Sequence, residues 1–172
     1  MNISKPSNTS SNTSAPKDSK ASTPKRSLTP RRRAREYALQ GVYQSLVMRR
    51  AGSLPNKTLI AKQLAEDPAF RRCQLELFQG IFEGVLDRTD EFEALITPAL
   101  DRPINELSPV EHAALLIGTY ELAADLSVPY KVAINEAVEL AKTFGGTDGH
   151  KYVNGVLDLL AKKLRSTEIQ AG

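Results

Sequence analysis

The chain has 172 residues, of which 41% are hydrophobic and 25% are charged, a composition typical of one globular domain with an extension. The sequence contains no window of eighteen apolar residues that could cross a membrane. With one cysteine and two histidines, it can form no disulfide within the chain and has no metal-ligand spacing. The net charge of +3 is concentrated at one end: residues 1–35 carry nine basic residues and one acid. Such an asymmetry is typical of an arm that binds a polyanion.

The first 28 residues are a low-complexity segment in which Ser, Thr, Asn, Pro and Lys predominate: MNISKPSNTSSNTSAPKDSKASTPKRSL. Such a segment cannot bury enough apolar surface to offset the conformational entropy that is lost on folding. We therefore predict a disordered basic tail over residues 1–28 and one folded domain over residues 29–168.

A helical pattern begins directly after this tail. Thr29 is suited to cap a helix, and Pro30 is suited to its first position. Apolar residues then recur at intervals of three and four residues, which predicts a first helix that ends near Arg50. Shorter helices are predicted over residues 57–66 and 89–97.

The third predicted helix runs from about Phe70 to Leu86, with an apolar stripe along one face. Cys73 falls on this stripe and is expected to act as a small buried hydrophobic residue. A packing role is therefore predicted for the single thiol of the chain.

The clearest helix start lies in the sequence SPVE. It places Ser108 at the N-cap, Pro109 at the first helical position and Glu111 at the third position, which together form a capping box. This helix is predicted to continue to about Asp125.

Two further helices complete the predicted fold. One opens at Pro129 and stops at Gly145, and the last begins near Thr147 or Asp148. The sequence has no convincing alternation of apolar and polar residues of the kind that strands require. The predicted fold class is therefore all-α, with about seven helices.

Motifs for catalysis or cofactor binding are missing from the sequence. It contains no nucleophile elbow, phosphate-binding loop, zinc-ligand spacing or dinucleotide fingerprint. Asp148 and His150 lie close together, but without a nucleophile the favoured interpretation is a helix start at which Asp148 interacts with the helix dipole. We therefore expect no catalytic activity, no cofactor and no bound metal.

The first predicted helix opens with an unfavourable charge pattern. Four arginines fall within its first turn and a half: Arg31, Arg32, Arg33 and Arg35. The helix dipole is already positive there, the arginines repel one another, and Glu36 relieves only part of the cost. A solvated charged face is one explanation. The favoured one is a bound polyanion, whose phosphates would meet both the arginines and the free amides of the first turn.

Three segments resemble the NusB family of bacterial transcription antitermination factors: RRRAREYALQGVYQ, VEHAALLIGTYEL and VPYKVAINEAVELAKTFGGTDGHKYVNGVLD. The resemblance extends over about residues 31–165 and is weakest between residues 50 and 105. It implies a NusB-like pair of perpendicular three-helix bundles, and a protein that suppresses premature termination of transcription. Leu116 departs from the family pattern, because arginine is frequent at this position. Any ion pair of that arginine must be rearranged here.

The resemblance also implies partners. NusB-like proteins bind the boxA element of nascent ribosomal RNA leader transcripts together with NusE, a small-subunit ribosomal protein recruited to the elongating polymerase. We therefore expect boxA-containing single-stranded RNA and NusE as partners, indirect contact with the RNA polymerase elongation complex, and a cytoplasmic location in a bacterium. Some NusB-like proteins dimerise, so a homodimer is an open alternative.

Two regions of the chain correspond to the RNA surface of the family. The first is the group of four arginines, and the second surrounds the start of the last helix: Phe144, Asp148, Lys151 and Tyr152. Contact with NusE is implied for Tyr43 and Glu111.

Structural alternatives accompany several of these assignments. Phe144 lies on an apolar stripe, which favours a core position over a platform for a base. Tyr43 lies beside the inward stripe of the first helix, with a surface position favoured, and Glu111 already serves the capping box. Tyr152 precedes the inward-facing Val153, so its ring is expected at the rim of the core, where it could stack on a base.

Two other functions are compatible with these observations. The chain could be the RNA-binding helical domain of a ribosomal RNA cytosine methyltransferase, in which case it would be a fragment. It could also be a purely structural adaptor that contacts proteins through Tyr43 and Glu111 and leaves the arginines solvated.

Overall fold

The structure of the protein is a computed structural model that describes residues 28–172. This range contains no strand and eight α-helices: α1 Pro30–Arg50, α2 Lys57–Leu64, α3 Leu75–Asp87, α4 Thr89–Ile96, α5 Pro109–Ala123, α6 Tyr130–Phe144, α7 Gly149–Leu164 and α8 Ser166–Ala171. The all-α prediction is confirmed. None of these helices is long and apolar enough to cross a bilayer. The predicted tail, apart from Leu28, lies outside the described residues.

Helix α1 begins and ends where its sequence predicts. The Thr29 hydroxyl accepts a hydrogen bond from the Arg32 amide at 3.1 Å, and Pro30 occupies the first position. After Ala51 the chain leaves the helix through Gly52, whose φ of +81° lies in the left-handed region that glycine adopts without strain.

The third predicted helix, over residues 70–86, is wrong at its start. A 3₁₀ segment, Pro68–Arg72, precedes α3, and the Asp67 carboxylate caps that segment through the Ala69 amide at 3.0 Å. The Gln74 amide then donates to the Pro30 carbonyl oxygen at 3.0 Å, which ties this turn to the start of α1. Cys73 is therefore outside the helix, although it still packs half-buried against the core, and burial raises the pKa of its thiol.

The core lies where two groups of helices meet. Helices α1, α2 and α3 form the first group and α5, α6 and α7 the second, and both α1 and α4 pack on α5. Every residue of α5 from His112 to Thr119 is buried, which explains why its sequence is apolar almost all round. Leu116 is fully buried there, so its side chain contributes to packing rather than to an ion pair.

An eighth helix, α8, was not predicted, and Arg165 explains how it is held. The buried Arg165 guanidinium donates to the backbone oxygens of Leu122 (2.8 Å), Glu121 (2.9 Å) and Val128 (3.0 Å), which closes the end of α5. Glu168 pairs with Arg165 and accepts the Tyr130 amide at 2.9 Å, which caps α6. These contacts join residues far apart in sequence, so local patterns do not indicate them.

Tyr37 makes the free energy of unfolding depend on alkaline pH. Its ring is buried and its hydroxyl donates to Asp67 Oδ2 at 2.7 Å; burial, and then this bond, raise the pKa of Tyr37 to about 12. An unfolded tyrosine titrates near 10, so this contribution is complete below about pH 10 and is lost as the pH rises to about 12. Urea unfolding across this range should show a shallower decline for Tyr37→Phe than for the wild type. Tyr43→Phe, on an exposed ring, is the control and should follow the wild type; equal slopes for all three proteins would contradict the assignment.

Candidate nucleic-acid interface

The first turn of α1 presents cationic side chains between α3 and α6. Arg31 is exposed, and its Nη1 donates to Gln74 Oε1 at 3.1 Å. Arg32 is partly exposed, and its Nη2 lies 3.4 Å from Glu136 Oε1. A long contact to a single carboxylate neutralises little of the charge of this turn, so Arg31 and Arg32 remain available to an anion.

Arg33 points into a cleft. It is half-buried, and its Nε is buried without a hydrogen-bond partner among the described residues. The cleft has a volume of about 290 Å³ and is also lined by two acids, Glu36 and Asp67, and by the Phe144 ring. Burial raises the pKa of the Glu36 carboxyl, although Arg33 and Arg32 oppose this rise. The unpaired Nε leaves a buried polar group of Arg33 unsatisfied at the wall of this cleft.

Arg35 was expected on the RNA surface, and the structure places it in the interior instead. It is only 3% exposed and forks onto Glu121 of α5, with Nε–Oε1 at 2.8 Å and Nη2–Oε2 at 2.9 Å. Burial lowers the pKa of Arg35, but the bonds and charge of Glu121 outweigh burial and the net pKa is raised. The physical reason is helical phase: Arg35 follows buried Ala34 and faces α5. Glu121, an acid beyond the first turn of the largely apolar α5, was the signal for this pair.

Two aromatic rings extend the surface beside the arginines. Phe144 was expected in the core, but as the last residue of α6 it is 39% exposed. Tyr43 is 40% exposed and shares a cleft of about 360 Å³ with Phe144, Val110 and Leu39. Because Phe144 also lines the cleft of Arg33, the two clefts meet at this ring.

Glu111 connects this surface to the start of α7. Its amide donates to Ser108 Oγ at 3.2 Å, so the N-cap half of the predicted capping box is formed. Its carboxylate turns towards α7, where a Cβ on Gly149 would lie 2.5 Å from Oε1. A side chain at 149 would therefore displace the Glu111 carboxylate, whose charge sits at the positive end of α7.

The start of α7 lies where the sequence predicted it, but Asp148 and Tyr152 have contacts that the sequence did not indicate. Asp148 occupies the N-cap position without a side-chain cap, and it pairs instead with the exposed Lys151 at 3.5 Å. Tyr152 is half-buried at the rim, as its position beside Val153 suggested, and burial raises the pKa of its phenol. One face of its ring is covered by Arg102, whose guanidinium carbon lies 4.4 Å from the ring centroid. Sequence patterns gave no indication of Arg102.

These residues define an all-α protein whose basic helix N-terminus adjoins exposed aromatic rings, an arrangement suited to a regulatory factor that binds nucleic acid. The sequence model of the NusB family matches residues 32–162. The chain belongs to this family.

Known proteins of the family resemble the chain over most of its length. A transcription antitermination protein NusB of Methylobacillus flagellatus is 49% identical over 142 residues, which cover 83% of this chain and 89% of that protein. The fold is similar to that of T. maritima NusB, with a TM-score of 0.68 and 27% identity over 83% of this chain and 98% of the other. A structure of NusB and NusE in complex with dsRNA matches at a TM-score of 0.68 and 24% identity, over 78% of this chain and 97% of the other.

Proposed function

We propose that this protein is a transcription antitermination factor that binds boxA RNA together with NusE and acts on elongating RNA polymerase in the bacterial cytoplasm. The observation that carries the proposal is the pair of cations Arg31 and Arg32 at the start of α1: both oppose the helix dipole, and neither has a strong acidic partner. Family membership supports the same conclusion. In this proposal the protein binds and positions its partners and catalyses no reaction.

A titration of labelled boxA RNA with and without NusE tests this function. Fluorescence anisotropy should show binding of single-stranded boxA RNA that tightens when NusE is present, and weaker binding of a scrambled strand. The same sequence presented as a duplex should also bind more weakly, because paired bases are unavailable for stacking on exposed rings. Equal affinity for boxA and scrambled RNA, with no response to NusE, would contradict the proposed function, and binding of neither RNA would favour the structural adaptor.

Three arginines and the start of α7 form the proposed RNA path. Arg31, Arg32 and Arg33 would meet phosphates at one end, and Lys151 would meet them at the other. Phe144 lines the cleft of Arg33 and has an exposed ring for stacking. Arg35 is buried beneath this surface, where it pairs with Glu121, and it is not among the proposed RNA contacts.

The proposed NusE surface is the cleft of Tyr43 with Glu111 beside it. Tyr43→Asp should weaken NusE binding strongly, because a charge replaces an aromatic anchor, while RNA binding by the free protein should change less. Val132→Asp, on a similarly exposed apolar residue of α6, is the control and should leave NusE binding unchanged. Calorimetric titrations with NusE, with thermal unfolding of each variant, make the measurement. Equal effects of both variants would contradict this surface.

Asp148 carries a charge of the wrong sign for RNA beside Lys151. Asp148→Asn should leave RNA affinity equal or raise it, since it removes a repelling charge and releases Lys151 from its ion pair. Asp158→Asn makes the same change about 15 Å further along α7 and should have a smaller effect. Affinities at two salt concentrations check this prediction. Clearly weaker binding by Asp148→Asn would show that Asp148 accepts a hydrogen bond from a base or sugar.

A further inference from the structure

Arg102 is held in a fixed orientation beside α7. Its guanidinium lies over the Tyr152 ring at 4.4 Å, and its Nε donates to Asp101 Oδ1 at 2.8 Å. The Tyr152 hydroxyl in turn accepts the Asp101 amide at 3.3 Å. The ring fixes one face of the guanidinium plane and the carboxylate fixes one edge, so the plane is preorganised.

The remainder of this guanidinium is accessible. The Arg102 side chain is 43% exposed, and its Nη1 makes no hydrogen bond within residues 28–172. Tyr152 occupies one face, which leaves the opposite face of the plane for a ligand.

The charge around Arg102 selects the kind of ligand. The Asp101 carboxylate contacts both Nε and Nη2, and Glu111 adds a second negative charge nearby. The electrostatic attraction of a phosphate to Arg102 is therefore weak. A flat, neutral, polarisable group can still stack on the exposed plane, as unpaired bases do on arginine guanidinium groups. A nucleobase of single-stranded RNA has this chemistry.

We propose that Arg102 is a base-stacking residue, and that Tyr152 and Asp101 position its guanidinium rather than contact the base themselves. This inference rests on the proposed function, and it adds to the RNA path a residue of the loop before α5. It also changes the expected role of Tyr152. Its ring was expected to stack on a base, whereas here one face of the ring holds the Arg102 guanidinium in place.

Two variants of Arg102 separate stacking from charge. Arg102→Ala should weaken binding of single-stranded boxA RNA at least about five-fold without changing the dependence on salt. Arg102→Lys keeps the charge but loses the plane, so it should bind nearly as weakly as Arg102→Ala. Tyr152→Leu removes the ring beneath Arg102 and should weaken binding; combined with Arg102→Ala it should cost no more affinity than Arg102→Ala alone, because Tyr152 acts through Arg102. Anisotropy titrations at four salt concentrations, with thermal unfolding as the folding control, provide both quantities.

Each outcome bears on the proposal. Wild-type affinity of Arg102→Lys would overturn stacking in favour of charge, and wild-type affinity of Arg102→Ala would reduce Arg102 to a packing residue. The double variant Arg31→Ala, Arg32→Ala is titrated beside them. If that variant loses affinity and Arg102→Ala does not, the inference fails alone. If the wild-type protein does not bind boxA RNA, the proposed function fails as well.

Discussion

Replacing Arg31 and Arg32 together by alanine should weaken binding of single-stranded RNA about 25-fold at about 0.1 M salt. The magnitude follows from counterion release: each lost phosphate contact reduces the salt exponent by about 0.7, which is about five-fold in affinity at that concentration. Folding stability should change by less than about 0.5 kcal/mol, because both side chains are at the surface and oppose the helix dipole.

The control for this variant removes the same charge elsewhere. Lys162→Ala with Lys163→Ala also deletes two exposed cations, at the far end of α7, about 20 Å from its start. This control should lose much less affinity for RNA, and filter binding or anisotropy measures both variants. Similar losses in the two variants would indicate a nonspecific response to net charge, and marked unfolding of Arg31→Ala, Arg32→Ala would indicate that these arginines are structural.

Glu121→Ala should cost about 3–5 kcal/mol of the free energy of unfolding. The substitution leaves the Arg35 guanidinium, 3% exposed, charged and without its carboxylate partner in the interior between α1 and α5. Equilibrium unfolding in urea measures the loss. A cost below about 1 kcal/mol would show that water or another group reaches Arg35 in the variant.

A double replacement distinguishes the cost of breaking this pair from the value of the pair itself. Arg35→Met with Glu121→Leu removes both charges and keeps apolar volume, so stability should return close to that of the wild type or exceed it. RNA binding by this double variant should remain, because Arg35 lies beneath the surface and not on it. If the double variant is as unstable as Glu121→Ala, the hydrogen-bonded pair is itself required for folding.

The sequence predicted helix starts well where neighbouring residues determine them. Thr29 with Pro30, and Ser108 with Pro109, marked helix starts that the structure contains. The third helix failed because Asp67 and Pro68 impose a 3₁₀ segment that interrupts the apolar stripe. Helix α8 depends on contacts of Arg165 with α5, and no periodicity within six residues could reveal it.

The sequence predicted where the candidate site lies better than it predicted which residues belong to the site. The charge pattern pointed to the start of α1, but only the packing of α1 on α5 shows that Arg35 faces inward. Phe144 follows the inward stripe of α6, yet it is the last residue of that helix and its ring lies exposed beyond the core. Arg102 depends on a contact across fifty residues, from a loop onto the ring of Tyr152. Long-range contacts of this kind are outside the reach of patterns within one helix.

The salt dependence of boxA RNA binding tests the central claim most directly, because it counts the phosphates that the protein neutralises. With contacts from three or four cations, Arg31, Arg32, Arg33 and Lys151, the slope of log K against log salt should be about −2 to −3, using about 0.7 per phosphate. The variant without Arg31 and Arg32 should lose about 1.4 of that slope. A slope near zero for the wild type, or an unchanged slope for the variant, would contradict an electrostatic RNA interface at the start of α1.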